Sequence, residues 1–429
     1  MTKGMKAMDK MQDVIKLLEE YHQEHIIKWM DKLDDENKRK LVEQIKNIDL
    51  HQIVELYETT RKEIEIKENK IEAIKYLDKE KINPIEKERL DDLAENVIKK
   101  SQYAVVTMAG GQGTRLEHPG PKGTFKLDVY GKGKYLFEIL AENLKEANNK
   151  YDVIIPWYIM TSRENNDETY NFLEKHNYFG YDKDNVILFK QGELPILDMN
   201  GKLMIDKNGF IKEASDGNGG VFTSLRTSGA LADMKERGIK WIFIGGVDNV
   251  LLKMCDTTLL GMAIDKNVEV ASKSVVKANP HEKVGVFCKM NNHPKVIEYS
   301  ELPEKMAEEV DSNGELKYGE SHIMCNLFTI DAIEKVSKEP LIYHYAIKKN
   351  SYLDEDGKEV IPLEPNSYKF EAFIFDAFEF FDDIAILRGK REDDFAPVKN
   401  KEGVDSPKTA KESYEKFWER NKNVLVNAS

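Results

Sequence analysis

Along the first hundred residues apolar side chains recur every three or four positions; beyond them they bunch into short runs. Met11, Val14, Leu18 and Tyr21 fall on one helical face in a lysine- and glutamate-rich background, and "ENKRKLVEQIKNIDLHQIVELY" continues that spacing with few glycines or prolines. The charges between them are solvated helix surface, so residues 1–99 read as an α-helical N-terminal region. After Lys100 the chain offers "AVVTMA", "VIIPWYIM", "NVILFKQ", "WIFIGGV" and "VEVASKSVV", short β-branched runs separated by helical stretches. That alternation predicts a parallel or mixed sheet covered by helices on both faces, an α/β core over residues 100–365. Residues 366–429 carry the aromatic, helix-like "FEAFIFDAFEFF" and the loop "REDDFAPVKN", and read as an arm returning to the core.

In open α/β sheets ligands sit beyond the carboxyl ends of strands, so the residues just after each apolar run are the first candidates for chemistry. "AVVTMAGGQGTRLEHPGPKGT" puts Gly110, Gly111 and Gly113 directly after a strand, where the missing Cβ atoms let backbone N–H groups approach a ligand. Neither common phosphate fingerprint is present: no GxxxxGK[ST] occurs there, and Leu116 stands where a dinucleotide loop has its third glycine. A plain tight turn accounts for the glycines alone; Arg115 and Lys122 tilt the loop toward phosphate by adding positive charge to the amides. After "WIFIGGV", Asp248 is a carboxylate at a strand end, suited to a hard cation that takes one or two carboxylates plus phosphate oxygens. An Asx-type turn is the ordinary alternative for Asp followed by Asn. Gln191 after "NVILFKQ" has an amide able to read a base edge, or to cap a turn. In "DGNGG", Gly217 and Asn218 allow close approach of a flat ring, or make a surface turn.

Composition narrows the partners. A chain of 429 residues, 41% hydrophobic and 33% charged, has material for two or three domains. Its net charge of −13 speaks against nucleic acid or an anionic membrane as the default partner, so any phosphate pocket must be small and shielded. Cys255, Cys288 and Cys325 lie far apart without a CxxC pair and read as three buried thiols, neither disulfides nor a zinc site. The start, "MTKGMKAMDK", has no apolar signal core, which makes the cytoplasm the expected compartment.

Taken together, "MAGGQGTRLEHPGPKGT", "WYIMTS", "KHNYFG", "NVILFKQGELP", "DGNGG", "VDNVLLK", "VGVFCK", "VIEYSEL" and "REDDFAPVKN" resemble, in the same order, the eukaryotic-type UDP-N-acetylglucosamine pyrophosphorylases. "QEHIIKWMDKLDDENKRKLVEQIKNIDL" resembles that family's helical region, so the likeness runs along nearly the whole chain. It implies a doubly wound nucleotide-binding core of the nucleotide-diphospho-sugar transferase (glycosyltransferase A-like) type. The implied reaction joins UTP and a sugar 1-phosphate into UDP-sugar and pyrophosphate with Mg²⁺ or Mn²⁺, and implies no obligate protein partner. By motif, Gly110, Gly111 and Gln191 would hold the uridine, Arg115, Lys122 and Lys399 the phosphates, and Asp248 the metal. Gly217, Asn218, Gly285 and Glu298 would face nucleotide or sugar. Where the family reads "GNIANHFF", with its first asparagine on the N-acetyl group, this chain reads "SHIMCNLF", placing His322 there. Glucose, galactose and N-acetylgalactosamine 1-phosphate therefore stay open beside N-acetylglucosamine 1-phosphate. A non-catalytic nucleotide-sugar-binding protein is the rival from another class.

Overall fold

The structure is a computed structural model that describes residues 3–61 and 70–426. The chain divides into two compact units, each assembled from separate stretches.

The smaller unit comprises Met1–Lys67, Gly192–Gly219 and Ile342–Phe373. Its helices are α1 (Lys3–Glu20), α2 (Glu24–Met30), α3 (Asp35–Lys46) and α4 (Leu50–Thr59). Asp34 starts α3 by accepting from the N–H groups of Glu36 and Asn37, and Asp49 starts α4 by accepting from Gln52, satisfying amides the helices leave open. The apolar stripes bury Val14, Leu18, Ile26, Leu41, Ile45 and Ile53 against Leu197, Ile205, Ile211 and Phe370. Polar contacts fix the packing: Trp29 Nε1 donates to the Gly209 carbonyl at 2.9 Å, and Gln44 Nε2 donates to that of Ile211 at 2.8 Å. The sequence division at 99/100 and 365/366 follows chain order, whereas these units interleave, because the helices find their apolar cover in residues 192–219 and 342–373.

The larger unit comprises Glu68–Gln191, Gly220–Leu341 and Ile374–Ser429. Its eleven-stranded sheet contains β1 (Ile71–Ala73), β2 (Leu77–Asp78), β3 (Tyr103–Met108), β4 (Trp157–Thr161), β5 (Val186–Lys190), β6 (Trp241–Gly246) and β7 (Val270–Val276). It is completed by β8 (Val286–Met290), β9 (His293–Ile297), β10 (Glu320–Thr329) and β11 (Ala385–Arg388). The main order is β2-β11-β7-β10-β6-β3-β4-β5, with β1, β8 and β9 attached beside β10. Strands β6, β3, β4 and β5 run parallel, while β10 is antiparallel to both β6 and β7. β3 and β6 are buried along their whole length, as continuous apolar runs require in a doubly covered sheet. Helices α5 (Pro84–Lys99), α6 (Leu136–Tyr151) and α7 (Thr257–Asp265) contribute Leu90, Ala94, Ile98, Leu140, Leu144 and Leu260 to its core.

Two local expectations change. "FEAFIFDAFEFF" is no single helix: the strand Ser367–Ala372 ends in it and a 3₁₀ segment, Ile374–Phe380, comes after. Cys288 and Cys325 are buried thiols as read, but Cys255 is half-buried. Among the described residues no helix is long and apolar enough to cross a membrane.

Candidate active site

The glycine loop leaves β3 and doubles back on itself. Gly113 N–H donates to the Gly120 carbonyl at 2.9 Å, Gln112 bridges Pro121, and Lys122 N–H donates to the Gly111 carbonyl at 3.0 Å. The fold-back explains a lysine so far along the chain from the glycines: the turn at Pro119, Gly120 and Pro121 returns Lys122 to Gly111. Gln191 arrives from β5, its N–H donating to the Thr161 carbonyl at 2.8 Å. A Cβ on Gly110 would lie 2.5 Å from Gln191 Oε1, so glycine is required for the buried amide to sit against the loop. Asn165, fully buried, was not singled out from sequence; its Nδ2 donates to the Ala109 carbonyl at 3.0 Å and steadies the loop's first residue.

Asp248 stands just past β6, as a strand-end carboxylate should. Its Oδ2 accepts from Lys122 Nζ at 2.8 Å. Burial alone would raise the Asp248 carboxyl; the Lys122 and Lys399 charges outweigh it and hold it below the usual carboxylate range. Lys399 lies over the Phe395 ring, 5.2 Å from its centroid, with Asp405 at 3.5 Å. Its segment is stitched to both neighbours: Val398 N–H donates to the Asp248 carbonyl at 2.9 Å and Lys401 N–H to the Arg115 carbonyl at 3.1 Å. The Arg115 residue is exposed on a 3₁₀ turn, and among the described residues it has no ion pair. Lys122, Asp248 and Lys399 are thus brought together, with Arg115 at the rim.

Among the described residues no group of three or more His, Cys, Asp or Glu could hold a metal. A lone ionised carboxylate fits a cation of the Mg²⁺ kind, which takes few protein ligands and completes its shell with water and substrate phosphate.

A second group gathers around β8 and β10. His322 N–H donates to the Gly285 carbonyl at 2.9 Å, and a Cβ on Gly285 would lie 3.5 Å from Glu298 Oε1, so Gly285, Glu298 and His322 are neighbours. His322 is 8% exposed, its ring boxed by Phe287, Phe375 and Phe378, with Nε2 2.9 Å from Asn326 Oδ1. Burial pushes His322 down to about 4, against the opposing effect of its hydrogen bond to Asn326 Oδ1, so the ring is neutral near pH 7. Asn326 is a second residue that sequence reading missed. Gly217 and Asn218 lie in the smaller unit; Gly217 has φ of 92° and packs against the Ala372 backbone, a conformation and closeness that only glycine tolerates.

Loop amides, converging lysines and one carboxylate at the carboxyl edge of a doubly wound sheet suit chemistry made of phosphate positioning, and the class of protein to which the comparisons assign the chain is the nucleotidyltransferases. A family model described as UTP--glucose-1-phosphate uridylyltransferase matches residues 50–405. UDP-N-acetylglucosamine diphosphorylase 2 of Arabidopsis thaliana is 35% identical over 425 residues, covering 93% of this chain and 82% of its own. UDP-N-acetylglucosamine pyrophosphorylase of Saccharomyces cerevisiae is 37% identical over 344 residues, covering 77% and 72%. The solved structure of the Trypanosoma brucei uridine diphosphate N-acetylglucosamine pyrophosphorylase in complex with inhibitor superposes with a TM-score of 0.80 at 27% identity, covering 94% of this chain and 84% of that one. The chain belongs to the UTP–glucose-1-phosphate uridylyltransferase family, among its UDP-N-acetylglucosamine pyrophosphorylase relatives.

Proposed function

We propose that the chain joins UTP and a sugar 1-phosphate to give UDP-sugar and pyrophosphate, N-acetylglucosamine 1-phosphate or another hexose 1-phosphate being the acceptor. The observation that carries the reading is the convergence of Lys122, Asp248 and Lys399 beside the glycine loop. A phosphate oxygen of the sugar 1-phosphate attacks the α-phosphorus of UTP; the bond to the bridging oxygen breaks and pyrophosphate leaves with that electron pair. The nucleophile arrives as an anion, so no side chain has to take a proton from it. What the protein must supply is alignment and relief of repulsion between two anions, which Lys122, Lys399 and Arg115 provide. Asp248 would hold the divalent cation, which when bound supplies charge neutralisation at the phosphates. Gln191 and the loop at Gly110 and Gly111 would read the uracil, and Gly285, Glu298 and His322 would face the sugar.

The test is pyrophosphate release from UTP, ATP and GTP with glucose, galactose, N-acetylglucosamine and N-acetylgalactosamine 1-phosphates. Release with UTP well above that with the purine nucleotides supports the reading, since a pyrimidine-sized site excludes the larger ring. Binding of UDP-sugar without turnover of any pair would favour the non-catalytic binder instead.

A further inference from the structure

The segment that carries Lys399 is read by a side chain outside the catalytic group. Asp248–Val250 and Ala396–Val398 run antiparallel, with Asn249 opposite Pro397. Val398 N–H donates to the Asp248 carbonyl at 2.9 Å and Val250 N–H to that of Ala396 at 3.2 Å; Pro397 falls where no N–H is needed. The carboxamide of Asn249, a residue 3% exposed, adds a second layer: Oδ1 accepts from Ala396 N–H at 2.9 Å and from Leu251 N–H at 3.2 Å, while Nδ2 donates to the Asp394 carbonyl at 2.8 Å. Donor and acceptor are both engaged, so a one-residue slip of the segment would break both contacts.

We propose that Asn249 is a positioning residue of the transfer reaction, fixing the register of Asp394–Lys399 so that Lys399 is delivered to the Asp248 end of the site. The proposal rests on the reading that Asp248 and Lys399 serve the same phosphates. Asn249 touches no substrate; its effect passes through Lys399. Asp394 is held independently by Lys273 at 2.8 Å, which keeps the segment attached when the carboxamide is removed and leaves its register to drift.

A double-mutant cycle separates this role from general support of the fold. Wild type, Asn249→Ala, Lys399→Ala and the double variant are assayed for pyrophosphate release, with kcat/KM for UTP measured well below each melting temperature. Asn249→Ala should lower kcat/KM about tenfold in the wild-type background, as small displacements of a reacting group do, and less than about twofold once Lys399 is gone. An equal loss in both backgrounds, or no loss in either, overturns the proposal. Should Asn249→Ala fail to fold, Asn249→Asp takes its place: it keeps the acceptor for Ala396 and Leu251 and turns only the donor toward Asp394 into an oxygen. Its cycle must show the same dependence on Lys399. Absence of turnover by the wild type would instead overturn the assigned reaction itself.

Discussion

The larger unit contains two lysine–aspartate clusters that look alike as ion pairs and differ in what they leave open. In one, Lys273 bridges Asp256 at 2.5 Å and Asp394 at 2.8 Å, Lys79 adds to Asp256 at 2.7 Å and Lys253 to Asp394 at 3.2 Å. The remaining oxygens are taken too: Asp256 Oδ1 caps α7 through Thr258 and Leu259, and Asp394 Oδ2 accepts from Lys390 N–H. Side-chain exposure is 1% for Lys273, 3% for Asp256 and 2% for Asp394. In the other cluster Lys122, Asp248 and Lys399 keep 13%, 23% and 29%. The first is closed, so its charges are spent on one another and on the backbone. The second is a set of opposed charges reachable from solvent, which is what an anionic substrate and a cation need. Saturation, more than the presence of a pair, separates the structural cluster from the one proposed to be functional.

The closed cluster should show the largest effect on stability. Removing Lys273 as Lys273→Ala leaves two buried carboxylates short of their shared cation, at a cost of about 3 kcal/mol, with Lys79 and Lys253 limiting the loss. Chemical denaturation measures it; a change below about 0.5 kcal/mol would mean that the cluster holds nothing together. Acid sharpens the same contrast. Burial would raise Asp256 and Asp394, but the lysines outweigh it and hold both below their ordinary value of 3.8. Because the folded value is the depressed one, this stability is fully present above the unfolded value and is lost as pH falls below it toward the folded values. The melting temperature should therefore fall steeply below about pH 4 in wild type and less steeply in Asp394→Asn. Parallel curves would contradict the assignment.

At the proposed sugar end, His322→Asn should shift the ratio of kcat/KM between N-acetylglucosamine and glucose 1-phosphates toward the former, by about 1–2 kcal/mol. An unchanged ratio would remove His322 from sugar selection. The smallest effect is expected in the smaller unit: Asp49→Ala removes the cap of α4 and should cost about 1 kcal/mol in stability with turnover intact.

How much of this was legible in the sequence depended on distance along the chain. β3, β5 and β6 were readable from their apolar runs, and the residues ending them, Gly110, Gln191 and Asp248, were readable as strand-end chemistry because the rule is local. Lys273 sits inside "VEVASKSVV", an ordinary strand by its pattern, and nothing near it announces carboxylates supplied by Asp256 and Asp394. Asn165 and Asn249 were invisible for the same reason: their amides bond backbone at Ala109 and Ala396, contacts that only the folded topology creates. The interleaved units were unreadable because an amphipathic stripe such as that of α3 says it must be covered without saying by what. The aromatic run "FEAFIFDAFEFF" misled because it mixes two periods, a strand's alternation up to Ala372 and a tight 3₁₀ turn after it.

The central claim, that the open cluster is the catalytic one, is tested most directly by Asp248→Asn, which keeps the side chain's shape and removes its charge. Measured together, kcat, its dependence on Mg²⁺ concentration and the melting temperature should show turnover lowered by roughly 10²-fold or more and Mg²⁺ dependence weakened, with the fold retained. Near-wild-type turnover with unchanged Mg²⁺ dependence would contradict the account and return Asp248 to the role of an ordinary strand-end turn residue.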